Sequence, residues 1–477
     1  MISYIYITIL LIATISASTH LLPFSKCPKE DFLRKCLDYY IKGSVNFRDD
    51  LFAYNVDLNI EYNKLIIHFP VAFVHPVDIL DIQNTIKCGA EFNFPIVARS
   101  GGHSSECYSI GDKDCYLVVD LVNLNKITVD VTSQIAIVGT GNTLDSLYYK
   151  VNLYGFAFPG GVCPYVGVGG LILGGGMGHL SREFGCSSDN ILDAQIVLAN
   201  GTVVNNAKEY PELLWAIRGA GNAGYGIVTA LTLRIHPIQK VATYFYLTYD
   251  LDQTPLIISI MNQMGNNLHQ NLSFIMRILT SGSQPYIYGI YLGSADELQS
   301  HIHEFINLSK PKNVSYIEGD LYELFNIEGI SPEDGETFKL KSFFIDSTGL
   351  SEEGVKCLMK FRENFKCELG FEIALLGGRI NDIKRNETAF VHRGFMYHMI
   401  ITSIMPSEKC LQDLENFSQY FQLKYTNYES YQNIIDRQLD NWQYRYYGES
   451  FEKLVEIKRK YDPYNLFRWN QSIPTHI

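Results

Sequence analysis

Between Pro159 and His179 the chain reads PGGVCPYVGVGGLILGGGMGH, and nine of these twenty-one residues are glycine. Glycine lacks a Cβ and loses more backbone entropy on folding than any other residue. So high a density marks backbone that must approach something closely. A second pair, Gly101-Gly102, follows the apolar run FPIVA and is flanked by Arg99, Ser100, His103 and Ser104. Backbone N–H groups at such turns form anion-binding nests suited to a diphosphate. Neither loop is followed by Gly-Lys-Ser/Thr, which excludes a P-loop. Neither carries the Rossmann GxGxxG with an acidic residue on a second strand. One loop holds a single cysteine, Cys163, and the other ends in His103.

Around these loops the first half alternates short strands with helices. FPIVARS and YLVVDL are apolar runs bounded by turn residues, the pattern of buried strands. QIAIVGTG leads into a helix expected from Thr143 to Gly155. AQIVLANGTVV is two strands about Asn200-Gly201, a strong hairpin signal, and PELLWAIRGAG has proline at a helix start with glycine beyond its end. From about Val241 aromatic alternating segments (ATYFYLTYDL, QPYIYGIYLG) are interleaved with amphipathic helices, which predicts an antiparallel sheet with helices on one face. A last helix begins near Ser450 and stops before Pro463. At 477 residues and 47% hydrophobic content the chain can bury a large core shared by two domains.

The formal net charge is −12 and no basic run occurs, which argues against nucleic acid or an anionic membrane surface and for a small-molecule partner. Residues 1–18 are apolar from Ile2 to Ile15 and end in Ser16-Ala17-Ser18, the pattern of a cleaved secretory signal rather than a membrane anchor. Seven Asn-x-Ser/Thr sequons, at Asn200, Asn271, Asn307, Asn313, Asn386, Asn416 and Asn470, agree with export to the exterior or an endomembrane lumen. Ten cysteines with no CxxC and no Cys/His ladder point to disulfides rather than a metal. Cys107, Cys115, Cys186, Cys357, Cys367 and Cys410 read as disulfide or inert core cysteines.

Six ordered motifs carry a resemblance: VARSGGHS, GVCPYVGVGG, GGGMGHLSREFG, DNILDAQIVLANG, LWAIRGAGNAGYGIVTALTLRIHP and YYGESFEKLVEIKRKYDPYNLFRWNQSIP. The chain resembles the berberine-bridge-enzyme-like FAD-linked oxidases of the vanillyl-alcohol-oxidase superfamily, from about Cys36 to Pro474. The resemblance implies an α+β, two-domain PCMH-type FAD-binding fold with an inserted antiparallel-sheet substrate domain. Its implied limits are 27–240 for the flavin domain, 241–430 for the substrate domain and 431–477 for the return to the flavin domain. It implies covalent FAD, joined to the 8α-methyl through His103 and to ring carbon 6 through Cys163, and a disulfide between Cys36 and Cys88. Arg99, Ser100, Gly101, Gly102, His103 and Ser104 are expected about the diphosphate. Gly167, Gly169 and Gly170 are expected on the flavin face, and Gly226, Ile227 and Val228 on the adenine side. Val166 is expected to leave O2 access to the ring. The implied activity is oxidation of an alcohol or carbohydrate with O2 as acceptor.

Alcohol oxidation also needs a base for the hydroxyl proton. At four positions where relatives keep polar side chains this chain has Leu171, Met177, Ile400 and Ile434. Tyr431 is the first candidate for the base, with Tyr397 and His398 nearby. The apolar replacements raise two alternatives: an oxidase of a less polar metabolite, and a flavin-loaded binding or defence protein with little turnover.

Overall fold

The computed structural model describes residues 26–280, 284–327 and 337–477, so the expected signal segment 1–18 lies outside it. The first sheet contains β1 (Ser44–Phe47), β2 (Ala72–His75), β3 (Ile96–Arg99) and β4 (Leu117–Asp120) in the order β1-β2-β4-β3, with β2, β4 and β3 parallel. Parallel strands are covered on both faces, and every residue of AFVH and LVVD is accordingly buried. The helix Ile79–Phe92 crosses from β2 to β3, and the Asp78 carboxylate caps it by accepting from the Asp81 N–H.

Then follow β5 (Ile127–Asp130), β6 (Ile135–Gly139), β7 (Phe156–Ala157), β8 (Ile191–Leu198), β9 (Val203–Val204), β10 (Gly226–Arg234) and β11 (His236–Pro237). Of these, β7 and β11 form a short ribbon and the rest an antiparallel sheet ordered β5-β6-β10-β8-β9. The Asn200-Gly201 turn joins β8 to β9 with Gly201 at φ +79°. Thr143 caps the helix Leu144–Asn152, and Pro211 opens the helix Pro211–Ala220.

The third sheet holds β12 (Ala242–Thr248), β13 (Leu272–Leu279), β14 (Tyr286–Tyr291), β15 (Asn313–Gly319), β16 (Phe338–Asp346), β17 (Glu368–Leu375) and β18 (Phe395–Ile404). It is antiparallel throughout, ordered β15-β12-β14-β13-β17-β18-β16. Helices Thr254–Met264, Ala295–Ser309, Glu352–Asn364 and Glu408–Tyr425 pack on one face, where Met261, Phe305, Leu358 and Phe421 meet Phe274, Ile373 and Met399. The fold is therefore α+β, as the family resemblance implies. The C-terminal helix Phe451–Tyr461 returns to the first half: Leu454, Val455 and Ile457 share a core with Val138, Ile196 and Leu231.

Three disulfides join Cys27 to Cys115, Cys36 to Cys88 and Cys367 to Cys410. Cys107, Cys163, Cys186 and Cys357 take no part in these disulfides.

A buried charge cluster ties the pieces together. Lys339 donates to Asp436 (2.6 Å) and to Glu106, and Lys341 donates to Asp436 (2.6 Å) and to Glu415. Arg437 donates to Glu106 at 2.8 Å. Burial pushes the Asp436 carboxyl up, but the two lysines outweigh it and hold its pKa below the ordinary value. A carboxylate depressed in the folded state adds stability above its unfolded pKa of about 4 and loses it as the pH falls further. Equilibrium denaturation should show this loss in the wild type on acidification. Asp436→Ala, which deprives two buried lysines of their shared partner, should lower the unfolding free energy by about 3 kcal/mol or more at neutral pH.

Candidate active site

The two glycine loops meet back to back. A Cβ on Gly101 would come within 2.5 Å of the Gly167 nitrogen, and one on Gly167 within 2.2 Å of the Gly101 nitrogen. Ser100 fastens the contact, its Oγ donating to the Thr140 carbonyl at 2.6 Å and accepting from the Gly169 N–H at 3.2 Å. Between these loops and the third sheet lies a cavity of about 450 Å³. Its walls include Ser100 to Ser105, Val166, Gly167, Gly169, Gly170 and the start of β10 from Gly226 to Val228. A Cβ on Gly170 would meet nothing within 4 Å, so this backbone is bare toward the opening. Elsewhere in the long loop glycine makes room for side chains instead. A Cβ on Gly174 would strike Asn433, on Gly175 Phe390, and on Gly176 Ser187.

Arg99 departs from expectation. It is fully buried behind the loop, donating to Asp120 Oδ2 at 2.6 Å and the Asp57 carbonyl at 2.6 Å, and lies 3.4 Å from Glu61. Three acidic side chains therefore hold this guanidinium, and it anchors the Ser100–Ser104 loop from beneath without lining the cavity. The Asp57, His75 and Asp120 group, whose spacing would suit a cation, already has the Arg99 guanidinium against it. Burial pushes the Glu61 carboxyl up to about 7 despite Arg99.

His103 and Cys163 converge on the cavity, with Sγ 3.7 Å from the imidazole Nε2. The Tyr62 ring stacks on the imidazole at 3.7 Å between centroids and 16° between planes, fixing its orientation. Burial pulls the His103 pKa down to about 4, so its imidazole is neutral at physiological pH. Burial pushes the Cys163 thiol up, partly opposed by the Tyr165 and Val166 N–H groups.

Leu171, Met177, Ile400 and Ile434 all line the same cavity. Tyr431 is there too, but its phenol oxygen accepts from the Gly176 N–H at 2.7 Å and from Asn433 Nδ2 at 2.8 Å. Burial raises its pKa above the ordinary value, so the phenol keeps its proton at neutral pH. Tyr397 is buried in the core on the helix side of the sheet. His398 lines the cavity, bonds Ser342 Oγ through Nε2 at 2.9 Å, and is pulled down to about 3 by burial and then by His392.

Sequence reasoning did not single out Tyr62, His179, Ser273 or Glu372, which also line the cavity. His179 Nδ1 and Ser273 Oγ are 2.8 Å apart. Glu372 sits in ELGFEIAL, where Leu369, Phe371, Ile373 and Leu375 alternate into the core. Such alternation reads as a polar, solvated face, whereas this face lines the cavity.

Residues 70–206 match the family described as FAD binding domain, and residues 430–474 the family described as berberine and berberine like. Berberine bridge enzyme-like 9 of Arabidopsis thaliana is 30% identical over 91% of this chain and 89% of its own length. The chain belongs to the berberine-bridge-enzyme-like family of FAD-linked oxidoreductases. An uncharacterized FAD-linked oxidoreductase of Bacillus subtilis, YvdP, is also 30% identical, over 87% of this chain and 94% of its own. Among solved structures, BBE-like 1 of Physcomitrella patens superposes with a TM-score of 0.88 at 31% identity, over 93% of this chain and 99% of that one. The glycine-lined cavity fits the FAD that this family binds.

Two glycines in one loop separate packing from cofactor space. Gly167→Ala should destabilise the fold by about 2 kcal/mol or more, since its methyl meets backbone. Gly170→Val should keep its melting temperature within a few degrees and lose flavin absorbance, because its side chain enters the opening.

Proposed function

We propose that this protein is a secreted oxidase whose FAD is tethered twice, through His103 to the 8α-methyl and through Cys163 to ring carbon 6. The observation that carries the reading is the 3.7 Å approach of the two side chains at one end of a glycine-lined cavity. Two nucleophiles this close can reach two positions of one benzenoid ring, C6 and the methyl on C8, with C7 between them. The neutral imidazole of His103 offers a lone pair at physiological pH, and Tyr62 holds it in plane. Cys163 must first lose its proton, which an electron-poor ring alongside favours. When bound, the flavin would supply a hydride acceptor and a route for two electrons to O2, with hydrogen peroxide as the product.

In this reading residues 27–240 and 431–477 hold the cofactor, 241–430 shape the substrate side, and 1–18 are removed on export. Three disulfides and the exposed asparagines at six of the seven sequons support an oxidising, glycosylating compartment. Ser100 to Ser104 present the nest for the diphosphate, Gly226 to Val228 border the adenine, and Val166 leaves room for O2 beside the ring. No helix among the described residues is long and apolar enough to cross a membrane. The substrate is an alcohol less polar than a sugar, because Leu171, Met177, Ile400 and Ile434 face one shared space. A carbohydrate carries many hydroxyls, each needing a partner when buried.

Acid-precipitated protein should stay yellow, and His103→Ala or Cys163→Ala alone should leave one attachment. Flavin that washes out of the denatured wild type would overturn the double tether. Aromatic and terpenoid alcohols should bleach the flavin anaerobically and release peroxide in air, ahead of oligosaccharides. A flavin that no compound in this panel bleaches would favour the binding-protein reading.

A further inference from the structure

The cavity needs a group that takes the hydroxyl proton, and most of its polar side chains already have other partners. Gln432 donates to the Gly219 carbonyl at 2.7 Å and faces His392 through Oε1. Asn433 donates to the Leu171 carbonyl at 2.9 Å. Tyr431 already accepts two hydrogen bonds. Of the three histidines, His103 is assigned to the flavin tether, and His179 and His398 are held by Ser273 and Ser342 and are weak bases in their buried settings.

Glu372 is different. It is the only carboxylate among the described residues lining the cavity, and no lysine or arginine lines it. It lies in the middle of a rung that crosses the sheet, opposite Arg277 on β13 and opposite Ile400 on β18. Residues on one rung of an antiparallel sheet point to the same face, about 5 Å apart. Glu372 is therefore one strand spacing from the apolar Ile400. The Arg277 Nε lies 3.1 Å from Oε1 and fixes the carboxylate, whose side chain remains 29% accessible.

We propose that Glu372 is the catalytic base of this site, oriented by Arg277. This rests on the alcohol-oxidase reading above. The substrate O–H proton passes to the Glu372 carboxylate as the adjacent C–H bond breaks, its electron pair leaving with the hydrogen as hydride to the bound flavin. The C–O bond becomes C=O. The hydride electrons then reduce O2, and the proton released by Glu372 completes hydrogen peroxide. Arg277 acts through Glu372 and is a positioning residue.

The test uses the flavin-loaded protein and two probes. Sulfite adds to an electron-poor flavin without any substrate, and an anionic side chain facing the ring opposes it. Glu372→Gln should tighten sulfite binding about fivefold or more while flavin content stays that of the wild type. Anaerobic bleaching by an alcohol that reduces the wild type, benzyl alcohol being the first tried, should slow about 10²-fold or more. Glu372→Asp, which keeps the charge on a shorter arm, should hold wild-type sulfite affinity and bleach at an intermediate rate. It also stands in if the glutamine variant fails to fold. Unchanged sulfite affinity in Glu372→Gln, or bleaching as fast as wild type in both variants, overturns the assignment. If no alcohol bleaches the wild type, the oxidase reading falls first and takes the base with it. If the wild type is bleached and the variants keep its rate, only the base falls.

Discussion

Everything at this site depends on two stretches of backbone touching where no side chain fits. Gly101 and Gly167 each occupy the space a Cβ on the other would need. That contact sets the distance between the first sheet, which delivers Ser100 to Ser104, and the segment that delivers Cys163 and the bare Gly170. Because the two loops are locked together, His103 and Cys163 arrive at one edge of the cavity from residues sixty positions apart. Ser100 reinforces the lock with one hydroxyl that donates to the Thr140 carbonyl just beyond β6 and accepts from the Gly169 N–H.

The electrostatics divide into two regimes. Beneath the loop, Arg99 is buried among Asp57, Glu61 and Asp120, where charges are paired and the work is structural. Inside the cavity almost every polar group is neutral or already hydrogen-bonded, which leaves Glu372 as the one carboxylate among the described residues that line it. Burial alone accounts for much of this. It lowers His103 and His179 to about 4 and raises Tyr431, so the wall is apolar in behaviour even where it is polar in composition.

Much of the fold could be read from local pattern. The Asn200-Gly201 hairpin, the Pro211 helix start and the Thr143 cap follow from turn and cap chemistry that acts over a few residues. The cofactor cradle was legible for a similar reason, since glycine density reports backbone approach directly. Arg99 was misplaced because a motif fixes a side chain's position along the chain but not the direction in which its strand presents it. Glu372 was missed because period-two alternation distinguishes core from non-core and cannot tell solvent from a cavity. Tyr62 stacks on His103 across 41 residues of sequence, and no local signal encodes that contact.

The buried cluster of Lys339, Lys341, Asp436, Glu106 and Arg437 has a bearing on biogenesis. Its members come from the first, third and last quarters of the chain. During synthesis Glu106 and then the two lysines emerge with no means of neutralising one another fully, and the last carboxylate arrives only with residue 436. Contacts of such long sequence separation form late. The wall carrying Tyr431 and Ile434 therefore cannot be complete until residues close to the end of the chain are in place.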